Sequence, residues 1–348
     1  MGIDVIKPQP LQIGDTIAII APSGGLAALA PHRLERGKQF FEHLGFQVRI
    51  FPTALSHHGL SSDSAEHQAK DIMDAFEDPS IKAIVTTIGG YTSHETLSHL
   101  NFESVQKNPK IFCGYSDITS LHIACFKKAG LIGFYGPAIL PQFGEFPTPD
   151  EYTVQHFLNA VTGELGQVIP SNSWSDDKTA DWLKQEDMAY SRVFQANPGY
   201  EWFRSGKARG HILGGCLPVL LNLINTEFWP DIEAHILFLE TPEGDDFRKG
   251  MNLDDVYQAL EQLRDAGLFD GINALVFGRG FGYSPQEHER LKELVLQHTK
   301  DYTFPILWNF DIKHTNPIMT IPIGVLVELN SEDNTFRFLE QGVQDSTR

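Results

Sequence analysis

In the first half of the chain, short β-rich apolar runs alternate with longer polar stretches that carry an apolar stripe, and each run ends at a turn containing Gly or Ser. That order calls for parallel strands joined by crossover helices, because a parallel neighbour is reached only through a long connection that brings the chain back to the same edge. Thr16–Ala21 reads as the first strand, closed by Pro22-Ser23-Gly24-Gly25, and a helix is expected from about Pro31 to Leu44, with Gly45 stopping it. Phe46–Phe51, Ile81–Ile88 and Lys110–Gly114 read as further strands, and Ser64–Phe76 and Asp117–Ala129 as helices.

From about Phe143 to Gly206 the period fails, and Pro, Asn, Ser and polar clusters predict a linker plus an irregular excursion. Regular structure resumes with Ala208–Gly214, and strands are expected at His235–Glu240 and Ala274–Phe277. Helices are expected at Leu217–Ile224, Leu253–Ala266 and Pro285–Gln297, and two β-rich runs, Gly324–Leu329 and Thr335–Leu339, come last. A solenoid is excluded, since nothing repeats at a fixed period of about 20 to 50 residues. At 348 residues the chain exceeds one small core, which predicts two domains, an N-terminal one over 1–165 and a second over 166–348 that includes the excursion.

The formal net charge of −18 repels polyanions, which argues against nucleic acid or an anionic membrane surface as partner. The opening MGIDVIKPQP lacks a basic segment followed by an apolar run, so it does not read as a secretory signal, and no window approaches the run of about 18 apolar residues that spans a bilayer. Cys113, Cys125 and Cys216 are an odd set without metal-ligand spacing and read as reduced, buried small hydrophobes, which suits a cytoplasmic protein. No metal and no cofactor is expected.

The most informative segment is KIFCGYSDITSLH, residues 110–122, where an apolar strand gives way to a helix with Ser116 on the bend. A serine in such a turn presents its hydroxyl, with the next backbone N–H facing the same space. The segment lacks the second glycine of G-x-S-x-G, and a plain helix N-cap is the competing reading. A serine nucleophile needs a base oriented by a third group. Among the 14 histidines, His314 lies in a polar loop between two apolar runs, where catalytic groups usually sit. Glu240 ends the apolar strand HILFLE and faces the crevice where α/β sheets bind ligands, unless it is simply a solvated strand-end carboxylate. Gly89-Gly90 lets backbone approach a reacting carbonyl, or forms an ordinary strand-ending turn.

Taken in order, GDTIAIIAPSG (14–24), TIGGYTSHETL (87–97), NPKIFCGYSDITSLHIA (108–124), FYGPAIL (134–140), GHILGGCLPVLLNL (210–223), ILFLE (236–240) and the histidine loop before IPIG (321–324) resemble the LD-carboxypeptidase family of serine peptidases, including its microcin C immunity subgroup. The resemblance implies a triad of Ser116, His314 and Glu240, and an oxyanion hole from the backbone of Gly90 and Asp117. It implies an α/β fold with an N-terminal parallel-sheet domain similar to class I glutamine amidotransferases, a smaller C-terminal α/β domain, and a homodimer. The implied activity is cleavage of a small amide, either the terminal D-alanine of a cell-wall tetrapeptide during peptidoglycan recycling or an amide joining an amino acid to a nucleotide-like group.

Gly89, Tyr91, Trp182 and Arg248 are the candidates for substrate contact. Trp182, or alternatively Trp174, offers an aromatic face to a flat group or else packs the excursion onto the domain. One departure bears on nucleotide selectivity: the immunity subgroup carries a lysine shortly after the triad glutamate, whereas this chain has Gly244 there and basic residues only at Arg248 and Lys249. Two other classes remain open, a glutaminase-like subunit, which ordinarily uses cysteine at the bend, and a catalytically silent ligand-binding homologue.

Overall fold

The computed structural model describes residues 5–312 and 314–345, so Met1–Asp4 of the N-terminal reading and Lys313 of the histidine loop lie outside the described residues. Two sheets organise the chain. The first contains β1 (Thr16–Ile20), β2 (Gln47–Ile50), β3 (Ile81–Thr86), β4 (Ile111–Gly114) and β5 (Phe134–Tyr135), ordered β2-β1-β3-β4-β5 and parallel throughout. The interior of this sheet is buried on both faces, with Ile17, Ile19, Ile84, Val85, Phe112 and Cys113 each at most 1% exposed, as expected where helices cover both sides. The strand order reverses between β1 and β3, and a ligand crevice forms at the carboxyl ends of strands beside such a reversal.

The helices are those the periodicity predicts, with small shifts at their ends: Pro31–His43, Ala65–Glu77 and Thr119–Ala129. Ser64 caps the second by accepting from His67 N–H, and Gly130, in the left-handed region, ends the third.

The short β6 (Gln167–Val168) begins the second sheet, whose order is β6-β16-β15-β10-β11-β12-β13-β9. Its parallel centre is β10 (Lys207–Cys216), β11 (Ile236–Glu240), β12 (Ala274–Gly278) and β13 (Ile306–Phe310), while β9 (Glu201–Arg204), β15 (Leu326–Asn330) and β16 (Thr335–Phe338) pair antiparallel around it. Helices Leu253–Asp265 and Pro285–His298 connect the central strands. The chain then returns to the first sheet, where β14 (Ile321–Pro322) pairs antiparallel with β5, Ile321 facing Tyr135. The result is the α/β fold with a parallel-sheet first unit and a second α/β unit.

The excursion is more ordered than its composition suggests. Glu151–Thr162 is a helix of 12 residues, capped by the Asp150 side chain on Thr153 N–H and ended by a left-handed Gly163. Beyond it, β7 (Ser173–Trp174) pairs with β8 (Gln195–Ala196). The expectation of irregular chain from Phe143 fails here because Pro147 and Pro149, which break the pattern in sequence, stand just before an N-cap, where proline costs a helix nothing.

Candidate active site

β4 ends at Gly114, and the next turn forces Ser116 to φ +62°, the left-handed region that a non-glycine residue enters at a cost of about 1–2 kcal/mol. Two contacts hold it there: Ser116 N–H donates to the Tyr135 hydroxyl at 3.1 Å, and its carbonyl accepts from Thr119 Oγ1 at 2.7 Å. Thr119 Oγ1 in turn accepts from Cys216 N–H at 3.0 Å, so the end of β10 in the second sheet is fastened to the bend. The strained bend presents the Ser116 hydroxyl, and Ser116 caps no helix through its side chain.

His314 Nε2 lies 2.9 Å from Ser116 Oγ, and His314 Nδ1 lies 2.7 Å from Glu240 Oε2. The three segments that carry these residues are brought together from positions 116, 240 and 314. Glu240, at the end of β11, is fully buried, and a buried carboxylate is tolerated only when its oxygens are satisfied. Oε2 takes the imidazole, and Oε1 accepts from the Tyr135 hydroxyl at 2.6 Å. A proton on Nδ1, fixed by Glu240, leaves Nε2 as the acceptor that faces the serine. The Tyr115 ring stands edge-on to the imidazole with centroids 5.1 Å apart and restricts its tilt.

Asp117 joins the strand-end loops. Its carboxylate accepts from Ser23 Oγ at 2.6 Å, after β1, and from Ser93 N–H at 2.8 Å, after β3. Its own backbone N–H starts the turn that follows Ser116. Gly89 sits directly against Ser116, since a Cβ there would lie 2.8 Å from Ser116 Cβ, 3.0 Å from Ser116 Oγ and 3.3 Å from Asp117 N. Gly90, at φ +150°, presses on the β1 turn, and a Cβ there would lie 2.4 Å from Ser23 Oγ. The Gly89 backbone and the Asp117 amide therefore lie beside the same hydroxyl, with Gly90 next in the turn.

The histidine loop is braced by the excursion. Ser175 and Asn316 exchange backbone hydrogen bonds at 2.7 and 2.8 Å, and Asp311 accepts from Ser171 N–H at 2.8 Å with Arg279 at 3.5 Å. Burial pulls the Arg279 guanidinium down to about 10.

The residues expected to contact substrate are more scattered. Gly89 lies at the centre, and Tyr91 is 68% exposed on the adjoining turn. Trp182 has one ring face covered by the Arg33 guanidinium at 3.9 Å and packs against the core, while Trp174 carries Arg279 at 4.6 Å. Arg248 is exposed and folds over Phe247 at 4.7 Å.

Two groups beside Ser116, His314 and Glu240 escaped the sequence reading. Tyr135 was visible only inside the FYGPAIL resemblance, although a tyrosine rather than a phenylalanine at the end of a buried strand signals a partner for its hydroxyl. Glu243 Oε2 is 3.3 Å from His314 Nε2, and its other oxygen pairs with Lys178 from the excursion, a residue no periodicity could flag.

The three cysteines are free and buried. Among the described residues no group of three or more His, Cys, Asp or Glu side chains is arranged to hold a metal ion, and no helix is long and apolar enough to cross a membrane.

Residues 17–136 match the LD-carboxypeptidase N-terminal domain and residues 209–329 the LD-carboxypeptidase C-terminal domain. A putative carboxypeptidase of Bacillus subtilis, YocD, is 32% identical over 94% of this chain and 97% of its own length. The microcin C7 self-immunity protein MccF of Escherichia coli is 30% identical over 95% of each chain. A solved structure of MccF in complex with aspartyl sulfamoyl adenosine superimposes with a TM-score of 0.89 at 28% identity, covering 97% of this chain and 100% of that one.

Proposed function

The chain belongs to the LD-carboxypeptidase family, and from that premise we propose that it is a serine-type amidohydrolase in which Ser116, His314 and Glu240 form the catalytic triad. The reading rests on one observation, the unbroken contact from Ser116 Oγ through His314 to Glu240. Ser116 Oγ attacks the amide carbonyl as His314 Nε2 takes its proton, and Glu240 stabilises the imidazolium across Nδ1. The tetrahedral oxyanion is received by the backbone N–H groups of Gly90 and Asp117, each worth about 3 kcal/mol in such sites. Collapse releases the amine with the proton from His314, and water then hydrolyses the acyl-enzyme by the same steps in reverse.

The substrate is a small peptide or peptide-like amide. A cell-wall tetrapeptide ending in D-alanine is the first class. An amide between an amino acid and a nucleotide-like group is the second, favoured by the ligand of the superimposed MccF structure. For the second class, the half of Trp182 not covered by Arg33, together with Tyr91 and Arg248, would meet the nucleotide-like part. A division at about 165/166, a homodimer and a cytoplasmic location complete the reading.

The deciding experiment offers the purified protein an L,D-tetrapeptide and an aminoacyl sulfamoyl adenosine, beside a Ser116→Ala variant. Wild type is expected to hydrolyse at least one, with turnover reduced by several orders of magnitude in the variant. Near-normal hydrolysis by Ser116→Ala removes the mechanism.

A further inference from the structure

Glu243 places a second carboxylate at the catalytic imidazole. Glu240 holds Nδ1 at 2.7 Å from one side, and Glu243 Oε2 stands 3.3 Å from Nε2 on the side of the nucleophile. When Nε2 is the acceptor for the Ser116 hydroxyl it carries no proton, so the ring gives Glu243 nothing to accept. A carboxylate in that position faces the reaction space.

Its placement is built. Gly244 N–H bonds Lys249 O at 2.9 Å, closing the loop that carries Glu243, and the other Glu243 oxygen is held by Lys178. Lys178 reaches it from the excursion, three residues beyond the Ser175–Asn316 backbone bridge, with its ammonium 4.3 Å over the Phe281 ring. Both side chains keep some access to solvent, 24% for Glu243 and 19% for Lys178. Burial pulls Lys178 well below its ordinary pKa, the neighbouring Arg192 lowers it further, and Glu240 opposes the shift. Lys178 occupies one Glu243 oxygen, and the other, beside His314 Nε2, stays open to a second cation.

The distances at the imidazole bring such a cation within reach of an attacked substrate. Attack requires the carbonyl carbon about 3–3.5 Å from Ser116 Oγ. A substituent on the α-carbon lies two bonds from that carbonyl carbon, within reach of Glu243 Oε2, which shares the His314 Nε2 edge with Ser116 Oγ. We propose that Glu243 is a specificity-determining residue that selects acyl groups bearing a free α-ammonium next to the scissile carbonyl, with Lys178 holding its carboxylate in position. This rests on the hydrolase reading above and narrows its substrate class to amides of an unblocked amino acid, over peptides whose α-nitrogen is acylated.

The test uses a matched pair of probes, diphenyl 1-aminoethylphosphonate and its N-acetyl counterpart. Ser116 Oγ displaces one phenoxide, the Oγ–P bond forms as a P–O bond breaks, and phenol leaves with the proton that His314 accepted. Labelling of Ser116 is followed by intact mass, and each rate is divided by the probe's spontaneous hydrolysis rate. Wild type is expected to favour the free amine by about tenfold or more, the size of one hydrogen bond to a charged group, and Glu243→Gln is expected to lose most of that ratio. The acetylated probe reports within the same sample that the variant is folded and its serine reactive. A wild-type ratio at or below one overturns the inference, as does an equal ratio in wild type and Glu243→Gln. Failure of both probes to label wild-type Ser116 refutes the hydrolase reading itself.

Discussion

The Tyr135 hydroxyl donates to Glu240 Oε1 at 2.6 Å and, with the same oxygen, accepts the Ser116 backbone N–H at 3.1 Å. One buried phenol thus joins Glu240 at the end of β11 to the strained bend that carries Ser116 after β4. Burial, with the Glu240 charge beside it, pushes the phenol well above its ordinary pKa, so it remains a donor at any pH at which the protein works.

Tyr135→Phe removes that oxygen and leaves a buried carboxylate oxygen and a buried N–H without their partner. Hydrogen bonds to charged groups are worth about 1.5–3 kcal/mol. The variant is expected to lose about 10- to 100-fold in kcat with little change in KM, because the phenol touches the triad and not the substrate. Steady-state kinetics on the substrate identified for the wild type checks the split, and a rise in KM alone would show that the bridge does not serve the reaction.

Alanine at Gly89 and at Gly90 is expected to act differently, the first chiefly on Ser116 and the second chiefly on the fold of the turn. Gly89→Ala directs a methyl at Ser116 Cβ and Oγ, at 2.8 and 3.0 Å, so the hydroxyl must move. A displacement near 1 Å at a reacting group costs on the order of 100-fold, and kcat is expected to fall by at least that much in a folded protein. Gly90→Ala must place an alanine at φ +150° with its Cβ 2.4 Å from Ser23 Oγ and 2.6 Å from Gly24 N. That variant is expected to lose several kcal/mol in denaturant unfolding. The idea fails if Gly89→Ala unfolds while Gly90→Ala remains stable and active.

Much of this arrangement is legible in the order of the amino acids, for a physical reason. Ser116 and Glu240 stand where an apolar run meets a polar turn, and in a parallel sheet such junctions line one edge. His314 is conspicuous because it interrupts two apolar runs. Groups that act from inside a run or from an aperiodic stretch are not legible in that way. Tyr135 looks like one more core aromatic, and Lys178 looks like one charge in a polar cluster. The helix Glu151–Thr162 does carry a stripe, Val154, Phe157, Leu158 and Val161, yet the prolines before it mask the signal. The contact between Ser116 and His314 depends on β14 rejoining the first sheet, a long-range pairing of two residues on which local pattern is silent.

Acid should loosen the protein from behind Ser116. His122 is fully buried one turn into the helix after Ser116, its Nε2–H donating to Gly114 O at 2.9 Å. Burial pulls its pKa from 6.5 down to about 4, against the opposing effect of the Gly114 hydrogen bond. Between those values the unfolded chain binds a proton that the folded chain refuses, so stability falls as pH drops from about 6.5 towards 4 and levels off below. A shift of this size corresponds to about 3 kcal/mol. Denaturant titrations at several pH values in this window should show that slope, and His122→Gln, which cannot titrate, should reduce it, leaving the part that belongs to His156, which burial also pulls down to about 4. An unchanged slope in the variant would assign the acid limb elsewhere.

The excursion is pinned to the first sheet's helix by charge. Arg33 is fully buried, and its guanidinium donates to Asp187 at 2.8 Å, to Glu145 at 3.2 Å and to Leu140 O at 2.8 Å while stacking on Trp182. Arg36 and His32 also meet Asp187, the latter at 3.1 Å. Removing one member of a buried ion pair is far costlier than the pair is worth, because the other charge stays buried. Asp187→Ala is therefore expected to destabilise by about 3–5 kcal/mol, or to release the excursion locally and keep the sheets intact. Limited proteolysis distinguishes the two, since local release exposes cleavage between residues 172 and 198 with the cores still resistant. Release should also lower activity, because the same segment holds Asn316 through Ser175 and supplies Lys178 to Glu243. A variant that is as resistant to protease and as active as wild type would mean that the histidine loop holds its position without this anchor.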